Sequence, residues 1–185
     1  MIEAAKSVTN DFEIIFIDDA SPDKSSQIVD EIIKKDKNIR LVSLSTNAGA
    51  AAARWEGLKY CRGKYVFLID ADLEEDPFLL VDFYERIKLD LNTDVVYGYL
   101  ENRKGSFIEK ISGWIFYKIF RIFSGLKFEG SPTWARLMSQ RYSKSLLKFN
   151  EQHLFAIGIM KIVGFNQIGV PILKKSKRST SYTTR

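Results

Sequence analysis

Two apolar runs in this chain each stop at a pair of aspartates. Residues 12–17 (FEIIFI) run into Asp18 and Asp19, and residues 65–69 (YVFLI) into Asp70, Ala71 and Asp72. A strand buried on both faces needs only apolar side chains, so acids at its carboxyl end answer to something outside the sheet. The second run meets five carboxylates within seven residues: Asp70, Asp72, Glu74, Glu75 and Asp76. In an extended segment Asp70 and Asp72 project to one side, where two anions repel unless a cation lies between them. Hard oxygen ligands of this kind suit Mg²⁺ or Mn²⁺, which bridge readily to phosphates. A solvated loop leading into a helix, with Asp76 at the cap and Pro77 in the first turn, accounts for Glu74, Glu75 and Asp76. It leaves Asp70, at the strand end, unexplained.

The pattern around these runs alternates strand and helix. A helix is expected over residues 25–35, a strand over 39–44, a helix over 50–60 closed by Gly63, a helix over 77–89 and a strand over 94–100. Short polar links between such elements imply βαβ units and a parallel sheet, with ligands at the carboxyl ends of the strands. Three loops have that position: residues 18–23, 45–49 and 70–76. Two of them carry paired aspartates, which points to a nucleotide and a metal ion. One or two further helices are expected in residues 140–162 and a last strand over 165–173.

The chain has 185 residues and one cysteine, Cys61. It is expected to form a single domain without a disulfide framework. Residues 1–12 lack the apolar segment of a leader peptide, and no run of 18 uninterrupted apolar residues occurs. The net charge of +5 conceals an asymmetry, −6 over residues 1–90 and +11 over 91–185. An acidic half holding a metal and a basic half facing an anion explain it; nucleic acid is ranked low, because no helix-turn-helix, zinc or RNP pattern occurs. Residues 107–124 combine five Phe or Trp with Lys110, Lys118 and Arg121. They read either as a core helix with a basic face or as an interfacial helix on an anionic membrane. The basic tail from Lys174 onward reads as a flexible end or as a loop ordered by phosphate. His153 is expected at a helix boundary, Cys61 as a structural free thiol, and Trp55 and Trp114 in the core or at an interface.

The segments EIIFIDDASPDKS, STNAGAAAARWEGLKYCRGKYVFLIDADLEEDP and DVVYGYLENR resemble family 2 glycosyltransferases of the GT-A fold. The nearest likeness is to the branch that includes dolichol- and undecaprenyl-phosphate sugar transferases, with RLMSQRYSKSLL and residues 153–182 similar to its acceptor-side half. The resemblance implies an α/β, Rossmann-like, mostly parallel sheet flanked by helices. It divides the single domain 1–185 into a nucleotide-sugar and metal half (1–100) and an acceptor half (101–185). Asp19 would read the base, with Asp18, Ser21, Gly49, Ala71 and Asp70 shaping the donor pocket and Arg54 near the diphosphate. Asp70, Asp72 and Glu74 would hold Mg²⁺ or Mn²⁺, Asp72 most directly. Arg103 and Arg136 would meet the acceptor's phosphate.

The activity implied is inverting transfer from a UDP- or GDP-linked sugar to a polyprenyl phosphate, at the cytoplasmic face of the membrane, with peripheral contact through about residues 107–124. A sugar hydroxyl is the alternative acceptor, with Glu151 as its base; a non-catalytic nucleotide-binding module, completed by pairing with another copy as a homo-oligomer, is the alternative of another class. Three departures from the family pattern are expected to matter. The family's first strand, central in its sheet and ending in Pro-x-Tyr-Asn-Glu, has no counterpart, so the chain reads as N-terminally truncated. Trp134 stands where many lipid-phosphate relatives have Asp. The transmembrane helices into which relatives often continue are missing.

Overall fold

The computed structural model describes residues 1–101, 130–149 and 156–175. The elements in chain order are α1 (Ile2–Lys6), β1 (Ile14–Asp18), α2 (Ser25–Ile33), β2 (Ile39–Ser43), α3 (Ala50–Tyr60), β3 (Tyr65–Leu68), α4 (Leu79–Leu89) and β4 (Val95–Leu100). Then follow β5 (Ser131–Ser139), α5 (Gln140–Leu146), α6 (Ala156–Ile162) and β6 (Gln167–Pro171). Arg103, the expected interfacial helix, Glu151 and His153 lie outside the described residues, as does the tail beyond Lys175. None of the described helices is long and apolar enough to cross a membrane.

The strands form two ladders. β1 pairs with β2 in parallel, Ile14 opposite Ile39 and Asp18 opposite Ser43. The other sheet has the order β3-β5-β4-β6. The expected parallel pairing holds for β1–β2 and β4–β6, but β5 runs antiparallel to both β3 and β4. The sheet is therefore mixed rather than mostly parallel, because β5 enters between β3 and β4 from the opposite end. Every residue of β1 is half-buried, although its sequence is that of a strand covered on both faces.

Period-2 alternation sorts the four-stranded sheet's side chains onto two cores. On one face Val66, Val95, Tyr97 and Met138 pack with Trp55 and Leu58 of α3, Tyr142 and Leu146 of α5, and Ile159 and Met160 of α6. On the other, Val96, Ala135, Leu137, Val170 and Ile172 meet Phe83 and Ile87 of α4. Trp55 is fully buried, as expected, and Cys61 is a free, partly buried thiol that burial raises to about 11. α4 starts at Leu79, two residues later than expected. Asp76 still serves its entry, accepting the Phe78 N–H at 3.0 Å through Oδ1.

Candidate functional site

The loops after β1 and β3 are built on the same plan. In each, a residue other than glycine adopts a left-handed backbone, Ala20 at φ 54° and Leu73 at φ 60°. Such strain persists only where surrounding contacts enforce it. The partners that enforce it differ between the two loops.

After β1, Asp18 accepts the Ser21 N–H at 3.0 Å and the Ser26 hydroxyl at 2.8 Å. The Ser21 hydrogen bonds hold its carboxyl below the usual range, against a smaller opposing effect of burial. Asp19 reaches across to the loop after β2, accepting the N–H of Ala48 at 2.7 Å and that of Gly49 at 2.9 Å. Gly49 is the N-cap of α3 at φ 88° and ψ 152°, a conformation reserved almost entirely for glycine. Asp19 thus satisfies amides at a helix N-terminus, where an anion is favoured. Asp19, expected to read a base, binds the chain's own backbone with both oxygens and ties the loop after β1 to the start of α3.

After β3, the acids face cations. Arg54, in the second turn of α3, donates Nε at 2.8 Å and Nη2 at 2.7 Å to Oδ1 of Asp70. The guanidinium carbon lies 4.0 Å from the centroid of the Trp134 ring. Asp72 is exposed, accepts the Glu74 N–H at 3.0 Å, and has no ion-pair partner among the described residues. Glu74 is 3.4 Å from Lys174 Nζ, and its carbonyl accepts the Lys175 N–H at 2.8 Å. Glu75 is fully buried, its carboxylate without a hydrogen bond and its nearest cation Lys174 at 3.5 Å. Asp76 pairs with Lys175 at 3.3 Å. Burial works against the charge on Lys174, but Glu75 and Glu74 outweigh it and hold the amine above its usual range.

The expected donor residues are therefore brought into one connected arrangement. Asp19 links the first loop to the N-terminus of α3, Arg54 links α3 to Asp70, and residues 174–175 bind the far end of the acidic loop. Ala71 is exposed beside Asp72. What the structure does not do is gather Asp70, Asp72 and Glu74 into one cluster. Among the described residues no group of three or more His, Cys, Asp or Glu could hold a metal ion. Glu74 is drawn toward Lys174 instead of toward the other two. The donor chemistry of Asp70 and Asp72 still suits a hard cation, since Arg54 engages Oδ1 of Asp70 and leaves Oδ2 outside the fork.

Arg136, expected to meet an acceptor phosphate, is only 2% exposed on β5. Its Nη2 donates to the Thr133 carbonyl at 2.7 Å. Burial pulls its pKa down, while Tyr142, Tyr97 and Glu75 act to keep its charge. A guanidinium held this way braces the interior, because taking it to a surface ligand would strip buried partners of their cation. Tyr142, pushed up to about 12 by burial, in turn donates to the Met160 carbonyl. Trp134 was not expected at the site, and Lys174, expected in a flexible end or a phosphate-ordered loop, meets Glu74 and Glu75 instead. The one available signal was the β5 register, which would have required β5 to be recognised.

The family model for glycosyl transferase family 2 matches residues 1–158, and the chain belongs to that family. A Mycobacterium tuberculosis protein described as a glycosyltransferase is 37% identical over 182 residues, covering 98% of this chain and 53% of the relative. The undecaprenyl-phosphate 4-deoxy-4-formamido-L-arabinose transferase of Pseudomonas fluorescens is 36% identical over 104 residues, 56% of this chain and 30% of the relative. The chain thus spans about half the length, or less, of these relatives. Among solved structures, glucosyl-3-phosphoglycerate synthase of M. tuberculosis, in complex with Mn²⁺ and UDP-glucose, superposes with a TM-score of 0.59. It is 15% identical, with 97% of this chain and 66% of that one covered, a likeness of fold.

Proposed function

We propose that this family 2 glycosyltransferase moves a sugar from a UDP- or GDP-linked donor to a polyprenyl phosphate, with Mg²⁺ or Mn²⁺, at the cytoplasmic membrane face. The observation that carries the donor half is the Arg54–Asp70 fork with Asp72 exposed beside it, at the carboxyl end of β3. A nucleoside diphosphate is a polyanion whose leaving requires its charge to be neutralised. Arg54 supplies a fixed guanidinium for a phosphate, and Asp70 with Asp72 would hold a divalent cation that offsets charge on the diphosphate. The loop closed by Asp18 and Asp19 forms the neighbouring wall for the nucleoside.

The acceptor half rests on charge and on likeness. Residues 91–185 carry a net +11, and the Pseudomonas relative is by its name an undecaprenyl-phosphate transferase. A lipid phosphate is already anionic and needs positioning by cations rather than a general base. Of the two arginines expected to do this, Arg136 is enclosed, so the task falls to Arg103 and the basic segment after it. The burial of Arg136 also favours a second reading, transfer to a sugar hydroxyl with Glu151 as base.

The experiment offers radiolabelled UDP- and GDP-sugars with Mn²⁺, and either undecaprenyl phosphate in anionic vesicles or an oligosaccharide, to wild type and Glu151→Gln. Lipid-linked sugar formed equally by both proteins supports the main reading. Transfer to the oligosaccharide that disappears in Glu151→Gln supports the second. No transfer to either acceptor removes both for this chain.

A further inference from the structure

We propose that Trp134 is a positioning residue of the donor site: its indole face carries the Arg54 guanidinium and holds it at Asp70, where a nucleoside diphosphate meets it. The proposal rests on the donor reading above and adds to it a residue whose sequence position suggested only a missing carboxylate.

The strand register brings the three residues together. β3 and β5 pair with Val66 opposite Met138 and Leu68 opposite Arg136. Asp70 and Trp134 each lie two residues beyond that last pair. Trp134 packs against the core that Val66 and Met138 form with α3. Arg54 descends from α3 onto this pair, its guanidinium 4.0 Å from the indole centroid and its Nε and Nη2 on Asp70 Oδ1. Arg54 and Asp70 keep side-chain exposures of 16% and 23%, so the pair is shielded but open to a ligand.

The chemistry explains why an aromatic ring suits this place. A ring face attracts a guanidinium without taking any of its N–H bonds. The fork to Asp70 uses two of the five that a guanidinium offers, and the indole leaves the others for an anion. A carboxylate at position 134 would compete for those donors and add negative charge beside Asp70 and Asp72. With the ring beneath it, Arg54 is ordered before the ligand arrives, and less side-chain entropy is lost on binding.

The test measures UDP and GDP binding in Mn²⁺ by calorimetry, and urea unfolding, for wild type, Trp134→Leu, Trp134→Phe, Arg54→Ala and the double variant Arg54→Ala/Trp134→Leu. Trp134→Leu should weaken nucleotide binding about fivefold, Trp134→Phe should recover most of that loss, and Trp134→Leu should add nothing in the Arg54→Ala background. A loss of equal size in both backgrounds, or no loss in wild type, overturns the proposal. If even wild type binds neither nucleotide, the donor reading fails, and the unfolding cycle then judges Trp134 separately. Coupled losses of stability for Trp134→Leu and Arg54→Ala support the positioning role, and additive losses overturn it.

Discussion

The loops after β1 and β3 both carry acids at a strand end, but they neutralise them differently. Among the described residues, Asp18 and Asp19 accept hydrogen bonds only from backbone amides and serine hydroxyls. Asp70, Glu74, Glu75 and Asp76 face Arg54, Lys174 and Lys175. Amides cannot leave without unravelling the loop, so the first region is a fixed wall. Side-chain cations can be exchanged for another cation or shared with an anion, so the second region is the better suited of the two to a ligand. Paired aspartates alone therefore do not make a metal site; what faces them decides.

Acid strikes both regions and should give the broadest effect. The Ser21 hydrogen bonds hold Asp18 low, and the Phe78 amide does the same for Asp76. Burial opposes ionisation of Asp94 and Glu13, but Arg141 and Ser139 hold Asp94 low, as Arg62 and Arg40 hold Glu13. With folded values below unfolded ones, the unfolded chain binds more protons in acid. Their stabilisation is present above about pH 4 and is lost as pH falls through the folded values. Urea midpoints measured from pH 7 to pH 3 should fall monotonically, steepest below about pH 4; a flat profile would show that these contacts contribute nothing.

Removing the cation from the buried end of the acidic loop should have the largest effect of any single substitution. Lys174→Met takes from the fully buried Glu75 the cation that stands 3.5 Å from it. A loss of about 3 kcal/mol in urea unfolding is expected. Asp19→Asn probes the fixed wall. An amide has one accepting oxygen for the two N–H groups of Ala48 and Gly49, and about 1 kcal/mol of stability should be lost. Lys175→Ala, which removes an exposed pair, should change stability by at most about 0.5 kcal/mol. If Lys174→Met and Lys175→Ala gave equal losses, the distinction between the buried and the exposed ends of the loop would not hold.

Much of the architecture was legible because apolar runs, turns and caps are local signals. Residues 12–17 and 65–69 announced β1 and β3, and the aspartates after them marked the strand ends that carry the site. β5 was not legible. Pro132 and Arg136 interrupt its apolar pattern, and Arg136 is tolerated in the interior only because Thr133, Tyr142 and Glu75 surround it in three dimensions. With β5 unseen, Trp134 could not be placed against Arg54. Glu75 read as a solvated acid because its burial is decided by Lys174, 99 positions along the chain and visible only after folding.

The central claim is that Asp72, exposed beside the Arg54–Asp70 fork, completes a nucleotide and divalent-cation site. Calorimetry of UDP and GDP with wild type and Asp72→Ala, each with and without Mn²⁺, tests it most directly. The account predicts that wild type binds one of these nucleotides with an affinity that Mn²⁺ strengthens, and that Asp72→Ala loses about a hundredfold and its metal dependence. Binding that ignores Mn²⁺, or survives Asp72→Ala undiminished, would contradict it.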